Sequence, residues 1–415
     1  DEFIDSHLDA EIKIANLSPF SSWLARPLPD QDLQLSVELD SRAGVLLVEQ
    51  LEMLSGDSDL SVTGRATNPS FPELTLAGQS QLINLAPWIR TFTTGKAGMA
   101  TETAPAHTTL PVAQLIPDYP ISFDAWKGFE ADISLDINNL TGLVRPLEDL
   151  QSAFSLQRDG LRVDELSFDD GVNGSVALTG SLVDQDKTPQ LDLALTGESL
   201  IYGIPKAPEE DVDALPSYDV KLRLTGSGQT TRTLASSLNG YLNLAMGSGH
   251  ILNTGFDRLS NTFLQELSNA LNPFKEQQAM TAINCAAVFN TLKNGQAFGE
   301  PSIVVDTPKI KILANTHVSF DTEKVKANFK TIPQKGLGIN MSSLVNPFVE
   351  VTGTLSAPRI SLNPANTVVG GSLAVVTGGI SLLLRSVLER LSTGGNICAK
   401  RLQKANEAMA ELDST

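Results

Sequence analysis

Cysteine, aromatic residues and catalytic motifs are scarce in this 415-residue chain. It has 2 cysteines, too few for a disulfide-rich scaffold, and 6% aromatic residues, which disfavours sites that stack sugars or nucleobases. The motifs HExxH, CxxC, GxSxG, Walker A and GxGxxG are all absent from the sequence. The sequence therefore gives no positive indication of an enzyme, a metal site or a cofactor.

The remaining candidates for chemistry are scattered. Four histidines, His7, His107, His250 and His317, have no spacing typical of metal ligands. Acidic residues mostly alternate with aliphatic ones, which predicts that they lie on solvated strand faces and not in catalytic pairs. We predict no catalytic residue, no metal ligand and no cofactor.

Basic residues are outnumbered, with 30 Lys and Arg against 48 Asp and Glu and a formal net charge of −18. This balance disfavours nucleic acid as a partner, because phosphates are bound by clustered Lys and Arg. Hydrophobic residues make up 41% of the chain, enough to build a core, so it is expected to fold. Its length is more than twice that of a typical domain of about 150 residues, which predicts several parts.

Apolar and polar residues alternate along much of the chain, which is typical of strands with one apolar face. Such rows can bury each other in a closed sandwich, or line a curled trough that holds acyl chains. We take the following as representatives of the trough lining: Leu35, Val37, Ile133, Leu135, Leu191, Leu193, Leu222, Leu224, Leu242, Leu244, Ile310, Ile312 and Val351. The predicted fold is mostly β, an elongated, curled antiparallel sheet built of repeats.

A longer unit also repeats along the chain. A strand ending in Thr-Gly occurs at 62–64, 178–180 and 351–353, and each copy is followed by Pro-x-apolar-x-apolar at 72–76, 189–193 and 358–362. Proline at the start of a strand removes no ladder hydrogen bond. Turns are predicted at Gly44 and Gly160, and surface loops at 93–113 and 203–217.

Three regions are predicted: a β-repeat region at 1–128, a second one at 129–217 and a C-terminal β region at 218–415. Helices are expected late in the chain, near 256–272, 368–392 and 399–412. Residues 360–384 carry no charge. The sequence leaves open whether this stretch plugs the groove, packs on the sheet or enters a membrane.

Cys285 and Cys398 can form one bridge in an oxidising compartment, or remain two separate thiols. A bridge would attach the C-terminal helices to the sheet.

These motifs resemble those of the AsmA-like proteins of Gram-negative bacteria. The resemblance covers nearly the whole chain and is most specific in the C-terminal region. There it includes LNGYLNL at 238–244, GHI at 249–251, the predicted helix at 256–272, Cys285, DTP at 306–308, VTGTL at 351–355 with Pro358, and TGGI at 377–380 leading to Cys398.

The resemblance implies a repeating β-groove related to bridge-like lipid-transfer proteins. It implies a periplasmic protein held in the inner membrane by an N-terminal helix, which this sequence does not contain. The expected function is binding and transfer of phospholipid between the inner and outer membranes, with other envelope proteins as further partners. The alternative is a structural scaffold or assembly factor for outer-membrane proteins, with a closed β core.

Overall fold

A computed structural model describes residues 5–24, 27–42, 44–67, 71–97, 114–124, 127–143, 145–201, 215–252, 267, 271, 280–334, 348–362 and 396–413. The fold is mostly β, as predicted. Two compact units are present: unit 1 comprises Asp1–Leu110 and Ser122–Leu195, and unit 2 comprises Pro111–Ile121 and Thr196–Thr415. This is a coarser division than the three predicted regions, which stay a prediction.

Unit 1 is an antiparallel meander interrupted by one parallel step. Its strands are β1 (Ser6–Ile14), β2 (Leu33–Arg42), β3 (Val45–Ser55), β4 (Ser58–Thr67), β5 (Glu73–Ser80), β6 (Ile83–Asn84), β7 (Glu130–Thr141), β8 (Leu147–Gln157), β9 (Gly160–Asp169), β10 (Ser175–Gln185) and β11 (Thr188–Leu200), the last of which ends in unit 2. Consecutive strands pair antiparallel from β1 to β5 and from β7 to β10. The parallel step joins β5 to β7.

The connections of unit 1 follow its turn residues. Gly44 joins β2 to β3 with φ +80°, and Gly160 opens β9 with φ +149°. Glycine adopts such angles without a steric penalty, so both predicted turns are confirmed. A 3₁₀ turn (Ser18–Phe20) and α1 (Ser21–Leu24) lie between β1 and β2. The helix α2 (Ala86–Ala97) follows β6, so the loop predicted for 93–113 is wrong over 93–97, and 98–113 lies outside the described residues.

Unit 2 contains a second antiparallel meander. Its strands are β12 (Tyr218–Ser227), β13 (Asn239–Met246), β14 (Gly249–Leu252), β15 (Met280–Ile283), β16 (Cys285–Lys293), β17 (Gln296–Asp306), β18 (Ile310–Ser319), β19 (Val325–Pro333), β20 (Phe348–Thr354) and β21 (Ala357–Leu362). The short strands β14 and β15 form a separate pair, and the others pair in chain order. The helix α3 (Thr231–Ser237) precedes β13, and α4 (Ile397–Asp413) ends the described chain.

The structure describes one of the three predicted helices fully and a second in part. The one near 399–412 is confirmed as α4. Of the helix predicted at 256–272, Leu267 and Leu271 are described, and both are helical. The rest of that segment and the helix predicted at 368–392 lie outside the described residues. No described helix is both long and apolar enough to cross a bilayer.

A disulfide between Cys285 and Cys398 attaches α4 to β16. Both cysteines belong to a buried cluster with Val304, Leu313 and Ile397. The bridge predicted from the two cysteines is therefore present, and it holds the C-terminal helix against one face of the unit 2 sheet.

Candidate functional site

One face of the unit 1 sheet is aliphatic because the strand registers align the apolar rows. Ile12 on β1 lies opposite Leu35 on β2, which lies opposite Met53 on β3. Val37 pairs with Leu51 in the same way. Directly opposed residues share a face, so the alternating rows of these strands form one continuous apolar surface.

The parallel step keeps the same face aligned. On β7, Ile133 lies opposite Leu76 of β5, and Leu135 lies opposite Gly78. Ile133 also lies opposite Phe154 on β8. The representatives predicted on β2 and β7 therefore belong to one aliphatic face of unit 1.

This face is packed only in places in the part of unit 1 that the structure describes: Ala131 and Ile137 are buried on the same row of β7 as Ile133 and Leu135. Leu35, Val37, Ile133 and Leu135 are half-buried, and none of the four clusters of buried hydrophobic residues contains a residue of unit 1. We call this half-exposed surface the open face.

The partly exposed aliphatic row is also found on β11. Gly180 on β10 leaves room for Leu193 on β11, since a Cβ atom at Gly180 would lie 3.0 Å from the Cδ1 atom of Leu193. Leu191 and Leu193 are both half-buried. These two representatives thus have the same partial exposure as those on β2 and β7.

Unit 2 has a related surface on its first strands. Leu222 lies opposite Leu242, and Leu224 lies opposite Gly240. Leu244 lies opposite Val288 on β16. All four of the predicted leucines are half-buried.

The opposite face of these strands is covered by α4. Tyr241 packs with Phe289, Ala405 and Met409, and its hydroxyl donates to Asp413 at 3.2 Å. Burial, followed by the charge of Asp413, raises the pKa of Tyr241. Here the sheet therefore has one covered face and one partly exposed aliphatic face.

Two predicted representatives are buried instead, and a third packs against a buried cluster. Ile310 is 1% exposed and Val351 is 4% exposed. Val351 belongs to a buried cluster with Leu271, and Ile312 packs against that cluster. Leu271 thus covers this part of the sheet. Ile310 and Val351 do not share the partial exposure of the other eleven representatives, which include the half-buried Ile312.

The polar groups of the described chain form structural contacts. Asp40 accepts a hydrogen bond from His7 at 2.9 Å and pairs with Arg42. The bond from His7, followed by the charge of Arg42, outweighs burial and lowers the pKa of Asp40. The described residues contain no group of His, Cys, Asp or Glu side chains arranged to hold a metal ion.

A buried carboxylate fixes a segment that the sequence reasoning missed. Glu323 accepts hydrogen bonds from the backbone N–H groups of Leu115 and Ile116, both at 2.8 Å, and lies 3.7 Å from Arg232. Burial raises the pKa of Glu323, but these N–H donors and Arg232 outweigh it, so the pKa lies below its ordinary value. No local sequence signal joins Glu323 to Leu115, because more than 200 residues separate them.

Comparison of the chain with protein-family models, curated proteins and solved structures finds no match. The resemblance to AsmA-like proteins thus stays a prediction, and the candidate site is defined by its geometry alone.

Proposed function

We propose that this protein binds phospholipid by laying acyl chains on its half-exposed aliphatic surfaces. The observation that carries the proposal is the open face of unit 1, where aligned rows of Leu, Ile and Val remain partly exposed. An aliphatic surface of this extent is unusual for a protein surrounded only by water. Its shape suits a smooth hydrocarbon chain better than a planar ring, since aromatic side chains are few.

The dimensions of one apolar row support this assignment. The row from Leu33 to Leu39 spans six residue steps, about 20 Å at roughly 3.3 Å per residue. One leaflet of a bilayer is about half of the roughly 30 Å hydrocarbon core. A single row is therefore long enough for one extended acyl chain, with the headgroup at its end in water.

The energetics favour a carrier over a tight receptor. Removing a methylene from water is worth about 0.8 kcal/mol, whether it enters a bilayer or a protein surface. An acyl chain that moves from a bilayer to the open face thus changes its free energy little. The protein would chiefly lower the barrier to crossing water, with weak headgroup selectivity.

The disulfide supports an extracytoplasmic location, because such bonds persist in oxidising compartments. Together with the resemblance to AsmA-like proteins, it favours a periplasmic protein anchored in the inner membrane of a Gram-negative bacterium. We propose that it contributes there to phospholipid transport towards the outer membrane and to outer-membrane homeostasis, with no enzymatic activity.

The test is mass spectrometry of lipids extracted from protein purified without detergent. The wild type should carry phospholipid. Ile133→Asp should reduce the amount bound, because a bound acyl chain would strip water from the new carboxylate, which is energetically costly. Ser134→Asp is the matched control, since Ser134 is the next residue on β7 and lies exposed on the opposite face. Equal lipid content in the two variants, or none in the wild type above an unrelated acidic β protein, would contradict the proposal.

A scaffold for outer-membrane protein assembly is the second candidate. It is favoured by β1, where Leu8 and Ile12 are the exposed members of the apolar row. Exposed apolar strands can bind a further strand. Lipid-free protein that forms a stable complex with an unfolded outer-membrane β-barrel protein, and loses it in Leu8→Asp, would favour this reading over lipid binding.

A further inference from the structure

Two connections of unit 1 lie at the same end of its sheet. The first, between β1 and β2, is attached when the N–H of Leu17 donates to the carbonyl of Gln31 at 2.8 Å. The Gln31 side chain donates to Ser55 at 2.6 Å, at the turn that joins β3 to β4. On the other side of this turn, Ser58 accepts a bond from the N–H of Asn84 at 2.9 Å, just before α2.

Both connections expose large apolar side chains. In the first, Trp23 is 80% exposed and Leu24 is 51% exposed, with Phe20 exposed beside them. In the second, Ile89 is exposed on α2. We call residues 16–24 and 84–91 together the apolar end of unit 1.

The exposure of Trp23 belongs to an ordered segment. Leu17 is buried, and the N–H of Ser18 donates to the side chain of Asn16 at 2.8 Å. After α1, the N–H of Leu28 donates to the hydroxyl of Ser21 at 2.9 Å. These hydrogen bonds hold the residues on both sides of Trp23, whose side chain is exposed.

Charge separates these segments from the rest of an acidic chain. Residues 14–29 and 74–101 contain no Asp or Glu, although the protein carries a net charge of −18. They contain Arg26, Arg90 and Lys96. Carboxylates do lie beside them, and these are engaged: Asp30 accepts a hydrogen bond from the Asn16 side chain, and Asp32 accepts one from the N–H of Gly56 at 3.2 Å. Asp59 accepts bonds from the N–H groups of Gln81 and Leu82.

This combination fits a bilayer interface better than a folded partner. Tryptophan is enriched where lipid headgroups meet hydrocarbon, because its ring is apolar and its N–H remains in contact with water. Basic residues beside an apolar face favour lipid phosphates, whereas acidic ones would be repelled.

We infer that the apolar end docks unit 1 on a phospholipid bilayer, with Trp23 and Leu24 inserted at the headgroup level. Apolar burial supplies most of the attraction, so binding does not require anionic lipid. This inference is independent of acyl-chain binding on the open face, because it uses different residues at the end of the strands.

The experiment is co-sedimentation of the full chain with sucrose-loaded vesicles of phosphatidylcholine, with and without phosphatidylglycerol. The wild type should bind both kinds, and the double variant Trp23→Ser/Leu24→Ser should bind about tenfold more weakly or worse. Trp23→Phe should retain most of the binding. The matched control is Tyr119→Ser, because Tyr119 is 66% exposed in unit 2 but follows the acidic Asp118.

Quenching by lipids brominated along the acyl chain gives a second readout. The wild-type tryptophan emission should be quenched, and the Trp23→Phe variant should lose part of that quenching, because it keeps Trp88 of the apolar end. Absence of vesicle binding by the wild type, or equal losses in Tyr119→Ser and the double variant, would overturn the inference. The double variant should still carry wild-type amounts of co-purified phospholipid, which separates this test from that of the open face.

Discussion

Gly64 on β4 lies directly opposite Leu76 on β5, and the Leu76 side chain fills the space that a larger residue at Gly64 would need. A Cβ atom at Gly64 would lie 2.3 Å from the carbonyl oxygen of Thr75 and 2.7 Å from the Cδ2 atom of Leu76. A Cβ atom at Gly180 on β10 would likewise lie 2.9 Å from the carbonyl oxygen of Asp192 and 3.0 Å from the Cδ1 atom of Leu193. In these two copies of Thr-Gly followed by Pro-x-Leu-x-Leu, the glycine thus admits a leucine from the next strand. In the third copy Gly353 lies opposite Pro358 instead.

Gly64→Ala should destabilise unit 1 by about 1–3 kcal/mol, the usual range for overpacking. The clash is with backbone, which cannot move aside as a flexible side chain can. Gly128→Ala is the control, since no atom lies within 4 Å of a Cβ at that position. Urea unfolding followed by circular dichroism measures both, and equal midpoints for the two variants would contradict the packing argument.

Acid should release the segment that contains Leu115 and Ile116. Glu323 has a pKa below its ordinary value of 4.5 in the folded protein, so its stabilising effect is complete above that value and is lost as the pH falls through the folded pKa. Amide hydrogen exchange of Leu115 and Ile116 should lose protection over that acidic range. In Glu323→Gln the protection should be low at every pH, and a wild-type profile in this variant would exclude the carboxylate as the cause.

Arg401→Ala should weaken the attachment of α4 by about 2–4 kcal/mol. Burial lowers the pKa of Arg401 to about 10, so it is charged at neutral pH. Its guanidinium donates to the carbonyls of Pro301 at 2.6 Å and Phe289 at 3.2 Å, and both would lose a buried donor.

Arg401→Met should recover part of this loss by retaining the apolar stem, and Lys404→Ala removes a charge from the exposed side of the same helix. Limited proteolysis of α4 distinguishes the variants. Cleavage of the Lys404 variant as fast as that of the Arg401 variant would mean that net charge, and not the buried contacts, holds the helix.

Removing the disulfide should destabilise unit 2 by about 4–5 kcal/mol in the chain-entropy estimate for a long loop. The bridge joins residues 113 positions apart. The double variant Cys285→Ser/Cys398→Ser should unfold at lower urea concentration, and dithiothreitol should shift the wild type but not this variant. A reductant effect of equal size on both proteins would show that it acts elsewhere.

Strand alternation predicted much of the fold because it is local in sequence. The row containing Leu35 and Val37, the turn at Gly44 and the helix that ends the described chain could all be read this way. The burial of Val351 could not be read from the sequence, because Val351 packs against Leu271, which is distant in sequence and whose packing partner no periodicity reveals. Trp23 was missed for a different reason: exposure of a single aromatic residue is decided by the loop around it.

The open face makes one further prediction about stability. Leu313→Ala should cost about 2–5 kcal/mol, because Leu313 is buried and its removal leaves a cavity. Leu35→Ala should lower the free energy of unfolding by less than about 1.5 kcal/mol. Leu35 is only half-buried, so its truncation removes less buried apolar area, and water can enter the space that it leaves. Urea unfolding of each variant, read from the transition of the unit that carries it, measures the difference. A Leu35 variant as damaged as the Leu313 variant would mean that its row is packed as a core, and the acyl-binding proposal would lose the surface on which it depends.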